Sequence, residues 1–97
     1  MAVEIVSTNS EEDYQKKAAW YAAFGVGEYW IVDPLALLDR YPNRRNPSIQ
    51  VPTVSVGMLD VKNREYRWKE FTERDRIESQ LFPELTLTVE QLVAAKL

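Results

Sequence analysis

Glu4 stands inside an apolar run, Val3-Glu4-Ile5-Val6, and Asp13 and Lys17 follow it four residues apart. Burying a charge is costly, so an acid flanked by Val and Ile on a strand asks for a reason. Two carboxylates and an ammonium brought to one sheet edge can bind a divalent cation and act on a phosphodiester. Such hydrolysis needs a water made nucleophilic and a cation over the developing charge, and bound Mg²⁺ supplies both. Mg²⁺ keeps several of its waters, so one or two carboxylates suffice to hold it. A lysine beside them offers hydrogen bonds and positive charge to the scissile phosphate.

The chain has no cysteine and no histidine. That excludes disulfides and thiolate metal sites and removes the usual general base and zinc ligand. Any metal must sit on oxygen, which favours Mg²⁺, Mn²⁺ or Ca²⁺. Serine nucleophiles at Ser7 or Ser10 have no imidazole to activate them and read as turn and cap residues.

Each candidate also has a plain structural reading. Glu4 can be an edge-strand acid facing water. Asp13 and Lys17, at i and i+4, match a common surface pair on a helix, worth about 0.3–0.5 kcal/mol. Tyr21, Tyr29 and Trp30 read as core and interface aromatics. Asp33 ends a strand before Pro34.

The elements that must position these residues follow from periodicity. Residues 2–7 form a short strand. Ser10-Glu11-Glu12-Asp13 resembles a capping box that opens a helix over 10–24, with Tyr14, Ala18, Tyr21 and Ala22 on one stripe and Trp20 and Phe24 beside it. Gly25 sits where a helix C-terminal glycine belongs. Residues 28–33, rich in aromatic and β-branched side chains, form a second strand. The helix between the two strands is a crossover, so they run parallel. Tyr41 to Pro52 is an irregular, proline-containing loop. Residues 53–59 and 64–71 alternate as the arms of a hairpin, with Val54, Val56 and Met58 on one face of the first arm and Tyr66 and Trp68 on one face of the second. Glu73 to Phe82 is a connecting segment, and Pro83 begins a last extended piece. Thr88-Val89-Glu90-Gln91 caps a short helix over 88–95. The expected fold is α/β: a mixed sheet with the crossover helix on one face.

At 97 residues the chain is one domain, 1–97, with a single modest core. The net charge of −3 argues mildly against a nucleic-acid coat protein and leaves a nuclease open, since local basic patches can hold phosphate. Two such patches stand out: Arg40, Arg44 and Arg45 in the loop, and Lys62, Arg64, Arg67 and Lys69 on the hairpin. Either could track phosphates, and either could be a solvated surface balancing the acids. No apolar run reaches transmembrane length, and the N-terminus has no signal-peptide pattern, so a cytoplasmic protein without membrane contact is expected.

Taken together, Glu-Ile-Val-Ser-Thr-Asn at 4–9, Asp13 and Lys17, Gly25-Val26, Glu28-Tyr29-Trp30-Ile31-Val32-Asp33, and Phe82-Pro83-Glu84-Leu85 followed by Leu87-Thr88 resemble the Uma-two-type restriction endonuclease family, which looks like a branch of the PD-(D/E)xK nuclease superfamily. The resemblance spans the chain. It implies a restriction-endonuclease-like core, DNA as substrate and Mg²⁺ or Mn²⁺ as cofactor. It aligns Glu4 with the second metal-binding acid. The superfamily lysine would fall at position 6, which is Val6, so the resemblance implies that the ammonium has moved to Lys17, with Asp13 one turn before it. Ahead of Glu4 the family carries a helix, further strands and a Pro-Asp motif, where this chain has Met1-Ala2-Val3. The expectation is the C-terminal portion of such a domain, N-terminally truncated, with weak or absent cleavage of its own. A second expectation is a non-catalytic interaction module that self-associates as a homodimer through the first strand or the aromatic hairpin.

Overall fold

The computed structural model of the protein describes residues 1–7, 11–35 and 51–95. Ser10, Arg40, Arg44, Arg45 and nearly all of the 41–52 loop, for which expectations were stated above, lie outside the described residues. The elements run β1 (Ala2–Ile5), α1 (Glu11–Ala23), β2 (Glu28–Asp33), β3 (Thr53–Asp60), β4 (Glu65–Thr72) and α2 (Val89–Ala94). The strands form one sheet in the order β1-β2-β3-β4. β1 and β2 are parallel, with Glu4 opposite Ile31, as the crossover requires. β2–β3 and β3–β4 are antiparallel. The α/β architecture expected from the sequence is the one observed, with strand and helix ends shifted by one or two residues.

All six residues of β2 are buried, so this strand is covered on both sides. On one face Tyr29, Ile31 and Tyr66 pack against Val6 and against Tyr14 and Ala22 of α1. On the other, Trp30, Val32, Val54, Val56 and Phe71 pack against Ile77 and against Val89 and Leu92 of α2. The hairpin faces inferred from alternation are therefore the observed ones. Gly57 marks a close approach. It lies opposite both Tyr29 and Trp68, and a Cβ there would stand 2.9 Å from the indole of Trp68. The missing side chain lets Trp68 lie across β3 to meet Tyr29, with ring centroids 5.4 Å apart.

α1 begins with three acids, Glu11, Glu12 and Asp13, where the helix dipole favours negative charge. It ends in a Schellman motif. Gly25 has φ +76°, its N–H donates to the carbonyl of Ala22, and the Val26 N–H donates to that of Tyr21 at 2.9 Å. At α2 the anticipated cap is complete: Gln91 N–H donates to the Thr88 hydroxyl, and the Thr88 N–H donates to the Gln91 side chain.

The segment between β4 and α2 is more than a connector. Arg76 bridges Thr88, and the Ile77 N–H donates to the Leu87 carbonyl. This fold-back carries Ile77 into the core and brings Ser79 beneath Glu28. Glu28 is 1% exposed. Its carboxylate accepts from Trp30 Nε1 at 2.7 Å, Ser79 Oγ at 2.5 Å, Gln80 N at 2.9 Å and Leu81 N at 3.3 Å. Burial is the largest single influence and pushes its pKa up. The bonds from Ser79, Trp30, Leu81 and Gln80 together outweigh it and leave the pKa below the ordinary 4.5.

Candidate active site

Strand alternation puts Ala2, Glu4 and Val6 on the α1 side of β1 and Val3 and Ile5 on the other. Glu4 thus points at the helix rather than into solvent. On α1, positions 13, 17 and 21 recur every four residues and share one stripe. The structure brings two of them onto Glu4. Lys17 Nζ lies 3.3 Å from Oε2. The Tyr21 hydroxyl donates to Oε1 at 2.6 Å. Lys17 and Glu4 are half-buried, with side chains 29% and 23% exposed. The Lys17 ammonium also sits 5.8 Å from the centroid of the Tyr14 ring, a cation–π distance. Asp13 is exposed in the first turn of α1, one turn beyond Lys17 along the stripe.

Tyr21 is the site residue that the sequence reading missed, having taken it for a packing aromatic. It does pack, edge-on to Tyr29 at 5.0 Å between centroids. Its hydroxyl nevertheless ends on the carboxylate. Its pKa is pushed up to about 12, first by the hydrogen bond to Glu4, then by burial, then by the charges of Glu4 and Tyr66. The i, i+4, i+8 recurrence with Asp13 and Lys17 was the available signal.

The hairpin cations are not part of this arrangement. Arg67 pairs in register with Met58 and Lys69 with Val56, which puts both on the face opposite Glu4. Arg67 is bonded to Asp60 at 3.1 Å, and Lys69 to Glu78. Asn63 and Arg67 hold the Asp60 carboxyl below its ordinary range. Lys62 and Arg64 are exposed in the turn. The solvated-surface reading is the one this geometry supports.

Among the described residues no three carboxylates gather as a ready-made metal cage. What the site offers is one half-buried carboxylate with two donors arranged on its separate oxygens. A sequence model of the family Uma2, described as "Putative restriction endonuclease", matches residues 1–90. The chain belongs to this family. The mixed four-stranded sheet with a helix packed against it is consistent with a restriction-endonuclease-like fold. Uma2 membership supports a nuclease at a coarse level, with DNA as the implied substrate and a divalent metal as the usual cofactor of such families. Neither the curated proteins nor the solved structures contained a match. Among the described residues no helix is long and apolar enough to cross a membrane.

Proposed function

We propose that this chain carries the second-acid and lysine part of a Mg²⁺-dependent DNA endonuclease site, and that by itself it cleaves weakly or not at all. The observation that supports the reading is the convergence of Glu4 and Lys17, residues 13 apart in sequence, within 3.3 Å. Glu4 fits as a ligand of Mg²⁺ or Mn²⁺. It is a hard oxygen donor, half open to solvent, and a hydrated cation needs no more than one or two such groups. When bound, the cation supplies an activated water and charge over the phosphate. Lys17 carries the ammonium that would meet the phosphate, on a flexible stem, with its nitrogen 5.8 Å from the centroid of the Tyr14 ring. Asp13 adds negative charge at the far end of the stripe. A single carboxylate whose Oε2 is already shared with an ammonium holds a cation loosely, hence the weak activity.

The test is a Mn²⁺ titration followed by water-proton relaxation, alongside incubation with plasmid and Mg²⁺ or Mn²⁺. Binding in the millimolar range that disappears in Glu4→Gln is expected, with little or no nicking. Absence of binding overturns the metal site. Vigorous cleavage lost in Glu4→Ala overturns the proposed weakness.

A second reading, self-association, has its own observation. β1 is an edge strand, and Val3 and Ile5 on its outer face are 46% and 42% exposed, with Met1 at 53%. Such edges pair with other chains. The aromatic hairpin does not serve, because Tyr66 is buried and Trp68 is half-buried against the core. We therefore propose a homodimer through β1. Sedimentation should show a dimer at micromolar concentration that Val3→Lys with Ile5→Lys converts to monomer; a monomeric parent chain sinks the idea.

A further inference from the structure

We infer that Tyr21 is a positioning residue: its hydroxyl pins one oxygen of Glu4 so that the other stays presented to a divalent cation. The inference rests on the proposed metal role of Glu4 and extends it to a residue on α1.

Three observations carry it. The two donors divide the carboxylate between them, the phenol on Oε1 and the ammonium on Oε2. Their bonds differ in kind. The phenol bond is short, 2.6 Å, and neutral, so it cannot stand in for a cation. The ammonium bond is 3.3 Å, and the ammonium is on a mobile stem. Oε2 is therefore the oxygen a metal can take, by displacing one cation with another.

Tyr21 is itself rigid, which a positioning group must be. Its carbonyl receives the Val26 N–H in the Schellman motif, so the backbone at this point is tied to the end of α1. Its ring is held edge-on by Tyr29, which is fully buried in β2. The phenol thus reports the position of the central strand to the carboxylate on the edge strand. Without that hydroxyl, both oxygens are open to Lys17, and the carboxylate can turn fully onto the ammonium. Hydrogen-bonding partners of metal-binding carboxylates commonly govern metal affinity by about 10–100-fold.

The test compares Mn²⁺ affinity, read by water-proton relaxation, in the parent chain, Glu4→Gln, Tyr21→Phe and a chain carrying 3-fluorotyrosine at position 21. Tyr21→Phe keeps the ring and its contact with Tyr29, so its melting temperature should change little. Its Mn²⁺ affinity should fall about tenfold. The fluorinated tyrosine keeps the hydroxyl and should restore affinity to near the parent value, which a purely structural role would not require. O-methyltyrosine, the same ring with no donor, is the second arm should the phenylalanine variant melt early, and its affinity should fall as in Tyr21→Phe. Parent-like binding in the donor-free variants, with binding still abolished by Glu4→Gln, overturns the role of Tyr21 and leaves the metal site standing. No binding by the parent chain overturns both.

Discussion

Glu4 and Glu28 lie on adjacent strands of one sheet, face opposite sides of it, and are held in opposite ways. Glu28 is sealed. Four donors, all neutral, occupy its two oxygens, and none is free to leave: an indole, a hydroxyl held in the fold-back, and two backbone amides. An ionised carboxylate offers about four lone-pair sites, so nothing remains for a ligand. Glu4 is half-open, with one fixed neutral donor and one displaceable cation. Burial alone would have chosen Glu28 as the functional acid, since perturbed acids gather at active sites. The identity of the donors is what favours Glu4 in the proposed site. A carboxylate saturated by immobile neutral groups is a fastener, and one shared with a mobile ammonium is a place where a cation can exchange.

The sharpest way to break this contrast is to remove the charge from each acid in turn. Glu28→Gln puts an amide N–H₂ among four donors and should cost about 2–3 kcal/mol, measured by urea unfolding. Glu4→Gln should cost under about 1 kcal/mol, since a half-exposed ion pair is worth little. Mn²⁺ binding should show the reverse order, kept in Glu28→Gln and lost in Glu4→Gln. Stability losses of equal size would erase the distinction.

Acid titration probes the same contrast without mutation. The folded pKa of Glu28 lies below its ordinary 4.5. The native state therefore holds the proton less tightly than the unfolded chain. The stabilisation is complete above pH about 4.5 and is lost as the pH falls through the folded value. The stability of the parent chain should decline in that acid window, and Glu28→Gln should show a shallower decline. An identical slope in both would mean that Glu28 is not the group being titrated.

A smaller effect isolates one of the four donors. Ser79→Ala removes the hydroxyl that donates to Glu28 and accepts from the Phe82 N–H, so it loosens both the acid and the turn above it. The expected loss is about 1.5–2 kcal/mol in the same urea experiment, with Mn²⁺ binding unchanged. A change in Mn²⁺ binding would show that the two faces of the sheet are coupled, against the separation argued here.

The two acids also differ in how far they could be read from the chain. Glu4 was conspicuous because an acid interrupts a run of β-branched residues, whereas Lys17, four residues after Asp13, matched an ordinary surface pair and was singled out only by the family resemblance. Strand alternation assigned Val54, Val56, Tyr66 and Trp68 to their correct faces, and Thr88 with Gln91 announced the last helix, because all of these are local patterns. Glu28 was read only as the first residue of a strand and part of the family resemblance, with no role for its carboxylate. Its hydroxyl and amide donors come from 51 to 53 residues downstream, and no local period records that meeting. Tyr21 was hidden differently. Its ring satisfies the packing rule so well that its hydroxyl drew no separate question. Gly57 gave no sign that it makes room for an indole, since its reason lies in the partner strand.

The smallest expected effect bears on Lys17. Lys17→Met keeps an unbranched side chain of similar length and removes the ammonium from Oε2. Stability should change by less than about 1 kcal/mol, because partly exposed ion pairs contribute little. If the ammonium and the metal compete for one oxygen, removing the first should help the second. A pair worth about 0.5 kcal/mol corresponds to roughly two- to threefold tighter Mn²⁺ binding. Any nicking of plasmid by the parent chain should disappear, since the charge proposed to meet the phosphate is gone. Tighter metal binding with lost cleavage is a combination that a structural ion pair does not produce. Weaker Mn²⁺ binding in Lys17→Met would instead mean that the lysine helps to hold Glu4 in place, as the four donors hold Glu28, and the two acids would then differ in degree and not in kind.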